Sequence, residues 1–366
     1  NGAGTDSAVI AAINQAVSLK SRYNIRVINL SLGRAVYESY KLDPLCQAVE
    51  QAWKNGIVVV VAAGNNGRYQ PTNGYATVTS PANDPYVITV GDMKPMGTPT
   101  RVDDLIASYS SKGPTVVDAV VKPDIVAPGN LLVSLEAANS TLFNSNPADQ
   151  VPYSYYVKGG SSAVSPAYFQ LSGTSMATGI VSGVVADLLQ KSPTLTPDQV
   201  KARLMLTAYK SFPQTSSTTD PTTGITYTDQ YDIFTIGAGY VDVQAALTSA
   251  AIAKGTAMSP IATFNGKTDQ VYLTVDPSAV WNKSTAWSNA NVWGSNQFVN
   301  GATASTGTTT SSTLSANEAL WGSEALWGSE ALWGSEALWG SEALWGSEAL
   351  WGSEALWGSS VTDGEK

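Results

Sequence analysis

An α/β fold built on a doubly wound, mostly parallel sheet, followed by a low-complexity repeat tail, is what the sequence predicts. Three observations predict it. Helical and strand patterns alternate through the amino-terminal half of the chain. The β-branched run Ile57-Val58-Val59-Val60-Val61 ends in small residues and an Asn-Asn-Gly turn, the pattern of a central parallel strand covered on both faces. Finally, Leu171-Ser172-Gly173-Thr174-Ser175-Met176-Ala177 opens into the apolar stretch 180–189, which puts a serine where a loop becomes a buried helix. Such alternation implies parallel strands with helices on both faces.

In chain order, Val9, Ile10, Ile13, Ala16 and Val17 mark an amphipathic helix, and a strand is predicted over 25–31. Apolar residues at helical spacing from Leu45 to Trp53 predict a second helix ending at Asn55-Gly56 and make Cys46 a buried structural thiol. Strands follow near 57–63 and 86–91. The stretch 136–168, rich in Ser, Asn, Tyr and Gly, reads as an insertion expected to form a solvated surface loop. Thr196-Pro197-Asp198-Gln199 opens a further helix with a capping-box pattern and Pro at its first position.

The chemistry is concentrated at strand ends and one helix start. The first N–H groups of a helix have no partner inside it and the dipole favours negative charge there, so Ser175 stands where a nucleophile belongs. Asn65 lies at the carboxyl end of a strand, where open α/β sheets bind ligands, and its amide is a candidate donor to an oxyanion. Ser31, Leu32 and Gly33 end the preceding strand and present backbone suited to pairing with an extended peptide. Taken singly, Gly-Thr-Ser is an ordinary helix cap and Asn-Asn-Gly a turn tolerant of positive φ.

Taken together and in order, these motifs resemble the subtilisin-like serine proteases over about residues 1–250. Tyr109-Ser110-Ser111-Lys112-Gly113-Pro114, Lys122-Pro123-Asp124-Ile125-Val126-Ala127-Pro128-Gly129 and Gly237-Ala238-Gly239-Tyr240-Val241-Asp242 extend the match. The resemblance implies a serine endopeptidase that hydrolyses polypeptides through an acyl-enzyme, with Ser175 as nucleophile and Asn65 as oxyanion-hole amide. Ser31, Leu32 and Gly33 would form one wall of the substrate cleft, and Ala62, Ala63 and Gly64 the other, beside the primary specificity pocket. It also implies secretion to the extracellular space and is compatible with structural calcium, although no metal or cofactor site is identifiable from the residues.

Two departures matter. Gly179 stands where the family usually carries proline early in the nucleophile helix. More consequentially, the chain contains no histidine, whereas a serine hydroxyl needs a neighbouring base, in this family a histidine oriented by an aspartate. Residues 1–24 resemble the family segment just after the histidine motif, and the chain does not begin with Met. The expectation is therefore an amino-terminally truncated enzyme, inactive alone, without the Asp and His segments, propeptide or signal peptide. The alternative is a non-catalytic surface- or matrix-binding protein whose repeats carry the function.

With 366 residues, 43% hydrophobic and 13% charged, the chain is long enough for one large core plus an appendage. The single cysteine precludes an internal disulfide, and no uninterrupted apolar stretch reaches the ~18 residues of a transmembrane helix. Residues 318–366 hold nine acidic residues and one Lys, a net of −8 out of the chain's −9, so the remaining residues carry only −1. There is no basic patch, and nucleic acid is excluded as an expected partner.

Four segments are expected: 1–257 as the catalytic body, 258–317 as an extension and Thr/Ser-rich linker, 318–359 as hexapeptide repeats, and 360–366 as a terminal tail. The repeats are seven perfect copies of Glu-Ala-Leu-Trp-Gly-Ser, and Trp281, Trp287 and Trp293 keep the same spacing in degenerate form. A six-residue period scatters the tryptophans around a helix, and each Gly costs about 1 kcal/mol there, so a helical stripe is ruled out. An extended chain would put every Trp on one side. Either such a ladder, binding a cell surface or self-associating, or a disordered repeat expansion fits the pattern.

Overall fold

The computed structural model describes residues 4–137, 140–220, 223–265, 270–281, 285–293, 298–299, 302–305, 313–315 and Glu365. The hexapeptide repeats, with the ladder reading attached to them, lie outside the described residues.

The amino-terminal half alternates as expected: α1 (Asp6–Tyr23), β1 (Val27–Leu30), α2 (Pro44–Lys54), β2 (Val58–Ala62), β3 (Ile88–Lys94), β4 (Leu105–Ile106) and β5 (Ile125–Pro128). Thr5 caps α1 through its hydroxyl, and Asp43 caps α2, whose first residue is Pro44. Strands β1, β2, β3 and β5 run parallel, and β4 adds to β3 antiparallel. All five residues of β2 are buried, which is why its sequence is continuously apolar rather than alternating. The pairing of Leu30 with Val61 brings β1 and β2 to an end at one level, so Ser31-Leu32-Gly33 and Ala62-Ala63-Gly64 emerge side by side.

The long helix α4 (Thr174–Lys191) packs across β1, β2, β3 and β5. Before it come β6 (Leu132–Leu135), α3 (Thr141–Ser145), β7 (Gln150–Pro152) and β8 (Val164–Leu171). The described residues of 136–168 are largely solvent-exposed, as expected, but they do not form an irregular loop: β8 pairs antiparallel with both β6 and β7. Val151 and Phe169 are buried by this small sheet, while Leu135 and Tyr155 remain exposed. No alternation marks β8 in the sequence, because only Ser165 and Phe169 are buried and its other residues are exposed or half-buried.

Helix α4 (Thr174–Lys191) is followed by α5 (Pro197–Thr207), which carries the anticipated capping box between Thr196 and Gln199. Next come β9 (Thr215–Thr219), β10 (Thr226–Gln230) and α6 (Val243–Thr248). Between them and the parallel sheet, Val126 N donates to Gly239 O at 3.0 Å and Val241 N to Val126 O at 2.9 Å, so residues 239–241 line the edge of β5. The last described elements are β11 (Ile261–Asn265), β12 (Gln270–Thr274), α7 (Asn289–Trp293), β13 (Phe298–Val299), β14 (Ala302–Ser305) and β15 (Thr313–Ser315).

The extension packs on the body. Trp281, Trp287, Val292 and Trp293 share a buried cluster with Ala202, Met205 and Phe234. The Trp281 ring meets Trp293 edge-on with centroids 5.1 Å apart, and its Nε1 donates to Met258 O at 2.6 Å. These three tryptophans, read from spacing as degenerate repeats, are core residues, each less than a tenth exposed. Cys46 is buried as expected, its thiol donating to Asn83 Oδ1 at 3.3 Å, and burial pushes its pKa up.

Candidate active site

The site assembles where α4 begins. Gly173 supplies the N-cap at φ 143°, a conformation that favours glycine, and offers no side chain to the helix end. Thr174 N therefore turns to Asn65 Oδ1 at 3.0 Å, and Met176 and Ala177 N to Gly173 O at 2.9 and 3.3 Å. The Ser175 N–H is the first-turn donor left without a partner among the described residues. Ser175 itself is half-buried.

Thr174 is the clamp of the site. Its hydroxyl accepts from Gly64 N at 3.2 Å and donates to Asn65 Oδ1 at 3.0 Å. With its oxygen fixed by two Thr174 donors, the Asn65 amide keeps Nδ2 free of that anchor, at the same end of α4 as the Ser175 N–H. The Tyr109-Ser110-Ser111 motif holds the turn from behind: Ser111 N donates to Gly64 O at 3.0 Å, Ser111 Oγ accepts from Asn66 N at 3.0 Å, and Gly67 N donates to Tyr109 O at 2.8 Å. Gly64 sits at φ 112°, and a Cβ there would lie 2.9 Å from Ser111 Oγ, so both strain and space require glycine.

The other wall is tied to the same helix. Ser31 Oγ donates to Ser175 O at 2.8 Å and accepts from Asn29 Nδ2 at 2.9 Å, while Ser182 Oγ donates to Asn29 Oδ1 at 2.8 Å. Leu32 packs against the main core, and Gly33 lies against the Thr79 side chain. Ala62 and Ala63 are buried, Ala63 N donating to Val90 O at 3.0 Å and its carbonyl accepting from Thr79 N at 3.1 Å. Ser175, Asn65, Ser31 and Gly64 are thus joined by direct bonds or through Thr174, whereas Leu32, Gly33, Ala62 and Ala63 contribute shape. Thr174 and Asn29 were not singled out from the sequence. Thr174 was visible inside its motif, but nothing in a linear pattern shows that its hydroxyl reaches back 110 residues.

Among the described residues no group of three His, Cys, Asp or Glu side chains is placed to hold a metal, and no helix is long and apolar enough to cross a membrane.

A family model described as the Subtilase family (Peptidase_S8) matches residues 1–239. Among known proteins, the chain is 42% identical to serine protease AprX of Bacillus subtilis (strain 168) over 207 residues, covering 54% of this chain and 42% of that protein. It is 31% identical to subtilisin DY of Bacillus licheniformis over 246 residues, covering 67% of this chain and 64% of that one. Among solved structures, fervidolysin from Fervidobacterium pennivorans, described as a keratinolytic enzyme related to subtilisin, aligns with 24% identity and a TM-score of 0.46 over 75% of this chain and 34% of that one. The chain therefore spans less than two thirds of the length of these relatives.

Proposed function

The chain belongs to the subtilase family, and from that membership we propose that it carries the nucleophile and oxyanion hole of a secreted serine endopeptidase. The observation that supports this reading is the junction of Asn65 with the first turn of α4 through Thr174, which brings two hydrogen-bond donors to one helix end. In this reading Ser175 Oγ attacks the scissile carbonyl, and the oxygen that becomes negative is held by the Ser175 N–H and Asn65 Nδ2. Collapse of the tetrahedral intermediate expels the amine and leaves an acyl-Ser175, which water then hydrolyses.

The proton from Ser175 needs an acceptor, and no histidine is present, so the base comes from outside these 366 residues. The 366-residue chain alone is then expected to cleave peptides about a million-fold more slowly than an intact enzyme, the factor subtilisin itself shows on loss of nucleophile or base. The cleft walls offer methyl groups and backbone rather than a counter-charge, which favours uncharged side chains at the primary pocket. The Leu-Trp hexads are proposed to mediate surface binding or self-association.

The test is peptide hydrolysis by the full-length gene product. Ser175→Ala is expected to abolish turnover, and Asn65→Ala to lower kcat by about 10²–10³-fold, as for the equivalent donor in subtilisin, with KM little changed. A raised KM with kcat spared in Asn65→Ala would overturn the oxyanion assignment.

A further inference from the structure

Behind the Asn65 turn a second cluster of polar side chains surrounds one residue from near the end of the chain, Glu365. Glu365 is fully buried. Its Oε1 accepts from the Ser108 hydroxyl, from Ser108 N at 2.9 Å and from Arg68 Nη2 at 2.9 Å. Its main chain is read as well: Glu365 N donates to Asn130 Oδ1 at 2.7 Å, and Asn130 Nδ2 donates to Glu365 O at 2.8 Å. A side-chain amide that satisfies both backbone groups of one residue acts as a neighbouring strand would, so the site recognises a peptide as well as a carboxylate.

The pocket is built before its occupant is counted. Arg68 is held by Asp220 at 3.0 Å and by Ser108 Oγ, to which its Nε donates at 2.8 Å, and it lies over the rings of Tyr109 and Tyr227. Asn130 is buried, and Tyr109 OH, which donates to Asp92 Oδ2 at 2.8 Å, also reaches Asn130 Oδ1 at 3.2 Å. Burial pushes the pKa of the neighbouring Asp92 carboxyl well above the usual carboxylate range. Without an occupant, the Asn130 amide and the Ser108 N–H would be buried polar groups lacking these partners.

We propose that Arg68, Ser108 and Asn130 form a receptor pocket for a glutamate in a peptide, and that its resident ligand is Glu365. In the sequence, Glu365 follows the hexads 318–359. The pocket loops also bear on the candidate active site: Arg68 is three residues beyond Asn65, and Gly129 O, next to Asn130, accepts from Gly173 N at 3.0 Å. An occupied pocket braces the loops that hold Asn65 and the start of α4.

The inference is independent of whether Ser175 is a nucleophile, and its test is amide hydrogen exchange, resolved by residue, on the whole 366-residue chain. Glu365→Ala is expected to accelerate exchange at Ser108 by about tenfold or more, because that amide loses its acceptor, while Val59 and Val60 in β2 stay unchanged. The control Glu354→Ala, in the last hexad, is expected to leave Ser108 unaltered. Unchanged Ser108 exchange in Glu365→Ala, or an equal acceleration in Glu354→Ala, would overturn the assignment of Glu365 to the pocket.

Discussion

At the scale of single residues, Asp124 shows how the core around the site carries charge. Its side chain is buried and accepts from Lys122 Nζ at 2.7 Å, Lys201 Nζ at 3.1 Å, Ser259 Oγ at 2.5 Å and Thr89 N at 2.8 Å. Burial alone would push this carboxyl up, but the two ammonium groups outweigh it and hold the pKa below the usual value. Asp124→Asn leaves two buried ammoniums without their counter-charge and is expected to cost about 3–5 kcal/mol in denaturant unfolding; a loss under 1 kcal/mol would show that the charges are not shielded from water. Asp232 behaves oppositely. It is buried and accepts from Tyr75 OH at 2.5 Å and from Phe234 and Thr235 N at 2.9 and 3.0 Å, and burial pushes it to about 6 despite these bonds. The folded state therefore keeps a proton that the unfolded chain releases near pH ~3.9. The contribution of this group to stability is fully present below that pH and is lost as pH rises through about 6. The stability difference between the unaltered protein and Asp232→Asn, followed from pH 4 to 7, should shift against the unaltered protein by roughly 2 kcal/mol; a pH-independent difference would contradict the shift.

At the scale of elements, α4 is the piece on which the site depends, and it is locally imperfect. Gly179 lies on its exposed side, and a Cβ added there meets nothing within 4 Å. Gly179→Ala is accordingly expected to raise stability by about 0.5–1 kcal/mol by restricting the unfolded chain, measured by thermal or denaturant unfolding; destabilisation would mean that the turn relies on glycine. The strands and helices of the amino-terminal half were legible because their signals are local: the run 57–61 is buried throughout, and the Thr196–Gln199 box needs only four residues. What escaped was non-local. The Thr174 clamp, the bond from Ser31 Oγ to Ser175 O and the pairing of β8 with β6 join segments far apart in the chain. The three spaced tryptophans misled for the same reason. Their period is a property of the chain, whereas their burial is decided by Phe234 and Met205, which periodicity does not reveal.

At the scale of the whole molecule, the described extension packs on the body through a second buried cluster beside the main core. Ser259 bonds to Asp124, and Lys201 Nζ donates to Ser259 Oγ at 2.8 Å, so the segment after residue 257 reaches the charged centre of the parallel sheet. Glu365, seated against Arg68, Ser108 and Asn130, lies against loops next to the candidate active site. In the proposed reading a peptide would lie at the start of α4 and the ends of β1 and β2, and Ser175 is the group on which the account rests. The most direct measurement is covalent capture: the full-length gene product is treated with a fluorophosphonate, which reacts with activated serines, and the labelled residue is located by peptide mapping. The account predicts one label, on Ser175, absent from Ser175→Ala and, on the proposed reading, absent from the 366-residue chain by itself. A label on another serine, or equal labelling of Ser175→Ala, would contradict it.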